Sequence, residues 1–381
     1  MKIMCRYHVS YLWNRRILII TEHIAMKAIS DNALDRLASL VGIISPSMQE
    51  REMMAYIKED WQRIAPDGTI TIDAIGNVEF AIHRNDAFST LALVAHADTI
   101  CVQITSKVGL GKYRFRSIGC SPHMLLGQRV VIVNEEGDTC NGVIGFDATS
   151  QFGQPKGLVF EDLWIDVPDY GHCQSIEIGD LVVLKPNYTT EGDFITSTAL
   201  DDRLGLFIIG EVLRWYSHND SSVNLTCVAT AQEEVGLRGS LAFRFSHTPD
   251  AAIVFDVDYA TDIPTHHEDQ MGRLYLGQGP GVLKKADNSL LLRNLIKSIA
   301  SIHNIPLQTS LGRFVYGGTD CSSLQITHTN HGFLTANITL PVRYMHSPIE
   351  TASFTDISHA IELTKKLAEH MSTVSDFTLK S

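Results

Sequence analysis

The stretch Val223-Asn224-Leu225-Thr226-Cys227-Val228-Ala229-Thr230-Ala231-Gln232-Glu233-Glu234-Val235-Gly236-Leu237-Arg238-Gly239-Ser240 is the one around which the chain is organised. Its first half is an apolar run of strand length. Its second half puts two adjacent carboxylates just before a pair of glycines. Neighbouring side chains on a strand point to opposite faces, but at a strand end running into a glycine turn both can border one pocket. Two glutamates side by side repel, so a cation or a shared proton is expected nearby. A solvated acidic turn is the plainer alternative, and the rest of the chain has to decide between them.

On either side of this stretch the chain alternates helical periods with buried-strand runs. Residues 32–43 and 49–64 read as helices, with Ser45-Pro46-Ser47 breaking the chain between them and offering an N-cap to the second. Residues 69–73 and 77–83 read as a hairpin about Gly76. Thr90-Leu91-Ala92-Leu93-Val94-Ala95 is a buried strand that ends at His96-Ala97-Asp98. Residues 202–218, 289–303 and 355–371 read as helices, the last with Thr355 as its N-cap, and 251–256 and 333–338 as further strands. Between 99 and 196 the character changes to short alternating runs separated by Gly, Pro, Asn and Asp, which predicts a small β domain inserted into an α/β domain.

Composition narrows the function. At 381 residues the chain supports two domains. A net charge of −12 argues against a nucleic-acid partner. No apolar run approaches the ~18 residues that span a bilayer, and Asn14-Arg15-Arg16 interrupts the only candidate secretory segment, so a signal peptide is not expected. The first 27 residues read as an extension. Seven scattered cysteines without a C-x-x-C pair predict neither a disulfide framework nor a thiolate metal site, and a reducing, cytoplasmic setting. Dinucleotide-binding, H-E-x-x-H and G-x-S-x-G patterns are absent.

Candidate ligands recur at strand ends, where open α/β sheets hold their ligands. His96 and Asp98 follow one strand, Glu233 and Glu234 a second, Asp256 and Asp258 a third. Asp201-Asp202 precedes a helix, so one can face a cation while the other caps. His346 lies on the irregular Arg343-Tyr344-Met345-His346-Ser347-Pro348 turn. Each has an ordinary structural explanation, but so many His and carboxylate positions at corresponding places are hard to explain as independent accidents. Two histidines and three carboxylates suit two divalent ions of the zinc type. Such a pair activates water and polarises an amide carbonyl, while a neighbouring glutamate outside the ligand set moves the proton. The residues alone do not choose Asp201 over Asp202, Glu233 over Glu234, or Asp256 over Asp258.

The motifs Ala95-His96-Ala97-Asp98, Ala199-Leu200-Asp201-Asp202-Arg203-Leu204-Gly205, Ala231-Gln232-Glu233-Glu234-Val235-Gly236, Asp256-Val257, Gly317-Gly318-Thr319-Asp320 and Arg343-Tyr344-Met345-His346-Ser347-Pro348 together resemble the M42 family of metallo-aminopeptidases, which includes the tetrahedral (TET) peptidases. The resemblance implies an α/β fold: a mixed-sheet zinc-aminopeptidase catalytic domain from 28–100 and 195–381, and an inserted small β-barrel-like oligomerisation domain at 101–194. It implies that His96 and Asp256 hold one metal, Glu234 and His346 the other, and that Asp201 bridges them. Glu233 becomes the general base, Asp98 supports His96, and Asp320 lies close by. It also implies two divalent metals per subunit (Zn, with Co or Mn as alternatives), peptide substrates, and a dimer-based homo-oligomer such as a dodecamer. Three departures stand out: Thr99-Ile100-Cys101 where the family has Glu-Ile-Gly, Asp258 where it has Thr, and His266-His267 where Pro-Gly is common. The competing expectations are a related N-acyl-amino-acid deacylase, a glycosidase, and a catalytically silent assembly protein on the same scaffold.

Overall fold

The computed structural model describes residues 29–147, 157–171, 173, 175–264, 268–312, 318–327 and 333–373. The N-terminal extension, His266, His267 and Gly317 lie outside the described residues. In chain order the main elements are α1 (Asp31–Gly42), α2 (Arg51–Ile64), β1 (Thr69–Ile72), β2 (Val78–Ile82), β3 (Ser89–His96), β4 (Cys101–Gly109), β5 (Lys112–Ile118), β6 (Arg129–Val133), β7 (Thr139–Phe146), β8 (Leu163–Asp166) and β9 (Leu181–Leu184). There follow β10 (Tyr188–Glu191), β11 (Phe194–Ser197), α3 (Leu200–Ser217), β12 (Val223–Thr230), β13 (Ala251–Tyr259), β14 (Gly281–Leu283), α4 (Leu290–Ile302), β15 (Gln308–Ser310), α5 (Asp320–Thr327), β16 (Leu334–Val342), β17 (Glu350–Ser353) and α6 (Phe354–Met371).

Eight strands form one mixed sheet in the order β1-β2-β12-β3-β13-β16-β14-β15. Its centre, β12-β3-β13-β16, is parallel. These four are the apolar runs of the sequence, and helices on both faces bury them, as a parallel sheet requires. α3 lies against β3 and β13 and buries Leu204, Phe207, Ile208 and Val212 in the main core. The register sets the functional level. Thr230 pairs with His96, and Val254 pairs with Val94, two residues short of Asp256 and His96. The ends of β3, β12 and β13 therefore come level at one edge of the sheet.

The short alternating runs close into a barrel, β4-β5-β8-β7-β6-β9, around its own core of Val102, Ile104, Phe115, Val130, Ile132 and Ile165. A third sheet, β10-β11-β17, follows the barrel and pairs Ser197 with Glu350, which brings the Asp201 segment beside β17.

Three local expectations are corrected. Cys140 on β7 is disulfide-bonded to Cys173, with Cα atoms 6.0 Å apart; a separation of 33 residues hides this single staple from spacing rules. Ser47 does not cap α2: its hydroxyl donates to Asp98 Oδ2 at 2.6 Å, and Glu50 occupies the cap position without a side-chain cap bond. The cap of α6 is Ser353 rather than Thr355, because Thr355 donates its hydroxyl to Asp193 at 3.0 Å and its amide to both Asp193 and Ser353.

Candidate active site

The strand ends and two turns bring the nominated residues together. Asp201 stands with its carboxylate between the two imidazoles: Oδ1 is 2.9 Å from His96 Nε2 and Oδ2 is 3.3 Å from His346 Nε2. His346 Nε2 is also 3.3 Å from Glu234 Oε1. That Oε1 is buried and has no aligned hydrogen bond. One donor atom each from His96, Asp201 and Glu234 fits within 4.8 Å of the others. Asp201, Glu233, Glu234, Asp256 and His346 line one cavity of about 470 Å³. Asp202, the next residue, accepts the Gly205 amide on Oδ1 at 2.9 Å and so holds the helix start.

The backbone here is held in conformations that few side chains adopt. Ala199, Gln232, Tyr344 and His346 have φ of 60°, 56°, 62° and 62°, each costing on the order of 1–3 kcal/mol. The surrounding polar contacts hold them. Asp98 accepts the Glu233 amide at 2.9 Å and the Glu234 amide at 3.2 Å, so it clamps the glutamate pair as well as facing His96 Nδ1 at 3.4 Å. Asp320, at the start of α5, accepts hydroxyls from Thr230 and Ser240 and so ties the end of β12 to α5.

Sequence reasoning missed four contributors. Glu350 accepts the His346 amide at 2.7 Å and the Asp201 amide at 3.2 Å. Glu50 accepts the Gln232 amide at 3.1 Å. Arg203, fully buried, donates to the Ala97 carbonyl at 2.8 Å and the Ser45 hydroxyl at 2.5 Å. The Gly119 carbonyl, at the end of β5, meets His346 Nδ1 at 3.2 Å, so the barrel helps to orient a residue of the site. The only sequence signals were that Arg203 lies within the Ala199–Gly205 motif and that Glu350 follows closely after His346. Glu50 reads as an ordinary first-turn glutamate, and Gly119 carries no signal.

Electrostatics describe a site in need of cations. Burial pushes Glu233 and Asp256 well above the usual carboxylate range, and neighbouring carboxylates push them further: Asp256 and Glu234 act on Glu233, and Asp201 on Asp256. Burial also raises Glu234 and Asp320. Burial disfavours charge on His96, but hydrogen bonds to Asp201 and Asp98 prevail and hold it well above its ordinary value. For Asp201 the burial penalty is overcome by His346 and His96, which hold it below the usual range. The donor set fits divalent metal on its chemistry, two imidazoles and several carboxylates, and on the close grouping of one donor atom each from His96, Asp201 and Glu234.

Residues 76–363 match the family described as M42 glutamyl aminopeptidase. The chain belongs to that family. It is thereby a peptidase of a metallopeptidase family. A putative aminopeptidase of Acetivibrio thermocellus is 31% identical over 87% of this chain and 97% of its own. The aminopeptidase of the archaeon Desulfurococcus kamchatkensis superimposes with a TM-score of 0.82 at 26% identity, over 92% of this chain and 99% of that one. The Pyrococcus horikoshii TET1 peptidase, described as assembling into a tetrahedron or a large octahedral shell, gives 0.74 at 26% identity, over 88% and 99%. Among the described residues no helix is long and apolar enough to cross a membrane.

Proposed function

We propose that this M42 peptidase releases N-terminal amino acids from peptides at a centre of two divalent ions. His96 and Asp256 would hold one, Glu234 and His346 the other, with Asp201 shared. The observation that carries this reading is the Asp201 carboxylate, with one oxygen toward each imidazole. Bound divalent ions, zinc by preference and cobalt or manganese as alternatives, supply Lewis acidity to the substrate carbonyl and the attacking water.

The chain's own residues do the rest. Glu233 takes the proton of the attacking water on its carboxylate and returns it to the leaving amine. Asp98 fixes the Glu233 and Glu234 backbone, and Glu350 fixes that of His346 and Asp201. Acidic groups on the cavity wall receive the free amino terminus. The barrel at 101–194 is read as an inserted domain that carries subunit contacts between the two segments of the catalytic domain, in a dimer-based assembly such as the shells described for the P. horikoshii relative. The chain is read as acting in the cytoplasm.

A panel of aminoacyl-anilides and short peptides tests this reading, assayed with chelator and after metal is restored. Release of the first residue, lost with chelator and recovered with metal, is expected. Chelator-resistant turnover, or hydrolysis of acylated amino acids alone, would contradict it.

A further inference from the structure

Where the chain leaves the barrel, one side chain ties together the two segments that carry Asp201 and His346. β9 closes the barrel at Leu184, and the Lys185 amide still donates to the Arg129 carbonyl of β6 at 2.9 Å. Asn187 follows, just before β10. Its Oδ1 accepts the Thr198 amide at 3.0 Å, and its Nδ2 donates to the Pro348 carbonyl at 2.8 Å. Its own carbonyl accepts the Ser197 hydroxyl. Thr198 leads through Ala199 to Asp201, and Pro348 stands two residues after His346.

Both segments need such ties. Ala199, between Thr198 and Asp201, is held at φ 60°, and Tyr344 and His346 at 62°; a non-glycine residue stays there only where its surroundings fix it. β11 and β17 bring the segments side by side, with Ser197 opposite Glu350. The buried Glu350 clamps them from within, through the Asp201 and His346 amides. Asn187 is exposed and clamps them from the surface. The groups it bridges suit a side-chain amide: a backbone N–H needs an acceptor, a carbonyl needs a donor, and the amide carries both on one rigid plane. Aspartate would offer the acceptor alone and set a carboxylate oxygen against the Pro348 carbonyl.

We infer that Asn187 is a positioning residue: it fixes the spacing of the Asp201 segment and the His346 turn, and so how tightly these two residues hold divalent metal. This rests on the two-ion reading above. The amide of Asn187 bonds to Thr198 and Pro348 rather than to either ligand, so its removal leaves every donor atom in place and loosens only the backbone that carries two of them. Each tie is a neutral hydrogen bond near the surface, and losing two corresponds to about tenfold in the metal affinity of the ligands they position. Asn187→Asp keeps the tie to Thr198 and loses that to Pro348, so its effect falls on the ion that His346 holds. Asn187→Ala loses both, and Asp201, shared between the ions in that reading, loosens as well.

The test is competition of a chromogenic chelator against the full-length protein for zinc, which reads the affinity of each metal equivalent, for wild type, N187A, N187D and T189A. The Thr189 hydroxyl donates to the Thr196 carbonyl at 3.4 Å, so T189A removes a bond of the same sheet that does not reach the His346 turn. N187A should lower both affinities, the weaker by about tenfold. N187D should lower one by about as much and leave the other within about twofold, and T189A should leave both within about twofold. Circular dichroism of the metal-free proteins checks the fold, and N187D carries the test should N187A not fold. Affinities of N187A and N187D within about twofold of wild type overturn the assignment. So does a T189A that matches N187A, which would make the effect a general weakening of the sheet. A wild type that holds two equivalents beside unmoved variants defeats the positioning role alone; a wild type that holds fewer than two defeats the two-ion reading with it.

Discussion

Glu350→Gln probes how the site is held without touching a nominated ligand. Glu350 is 2% exposed, and its two oxygens accept the His346 amide at 2.7 Å and the Asp201 amide at 3.2 Å. Glutamine keeps one acceptor and turns an NH₂ group against the other amide. A hydrogen bond to a charged group contributes about 1.5–3 kcal/mol, and a buried amide left unpaired costs a similar amount. His346 is held at φ 62°, where a side chain stays only if its surroundings hold it. A loss of about 1.5–3 kcal/mol falls on the arrangement of two ligands, which corresponds to about ten- to a hundredfold in metal affinity. Competition of a metal-binding dye against the protein reads the affinity, and circular dichroism of the metal-free protein checks the fold. Affinity within about twofold of wild type, in a folded variant, would refute the positioning role of Glu350.

Asp98→Asn should lower kcat/KM by about ten- to a hundredfold, because one carboxylate serves both glutamate amides and faces His96; steady-state kinetics on a leucyl-anilide, with metal content measured alongside, checks it. Cys140→Ser removes the staple to Cys173, 33 residues away, and should lower stability by about 3–4 kcal/mol in denaturant melts; reductant should shift the wild-type melt and leave the variant unmoved. Burial pushes Asp356 up to about 7, against hydrogen bonds from the Gly277 and Gly279 amides. Folding therefore takes up a proton there, and the stabilising contribution of this group is greatest below about pH 4 and declines as pH rises through about 7. The stability of wild type minus that of Asp356→Asn, from melts at a series of pH values, should fall over that window; a flat difference would refute the assignment.

Much of this was legible in the sequence because its signals are local. Thr90-Leu91-Ala92-Leu93-Val94-Ala95 and the 223–231 run read as buried strands because they are mostly apolar and carry no charge, and the His and carboxylate residues that follow mark their ends. The change in periodicity marked a β-rich insertion in an α/β domain; the mixed sheet and the barrel needed the family resemblance. What stayed hidden is settled by contacts distant in sequence. Ser47 looks like a helix cap until Asp98 is placed beside it. Thr355 looks like one until Asp193 takes its hydroxyl. Cys140 and Cys173 carry no spacing signal, and the service of Glu350 to two backbone amides depends on β11 and β17 pairing. The choice between Asp201 and Asp202 needed the family resemblance, since local rules allow either to cap the helix; in the structure Asp202 accepts the Gly205 amide and Asp201 turns to the histidines.

The measurement closest to the central claim compares Glu233→Gln with wild type for both metal content and turnover. Glu233 lines the cavity with Asp201, Glu234, Asp256 and His346, and the proposed chemistry gives it only the proton. The variant should bind the same two equivalents of divalent metal and lose about a hundredfold or more in kcat on an aminoacyl-anilide. Undiminished turnover by the metal-loaded variant would contradict the account.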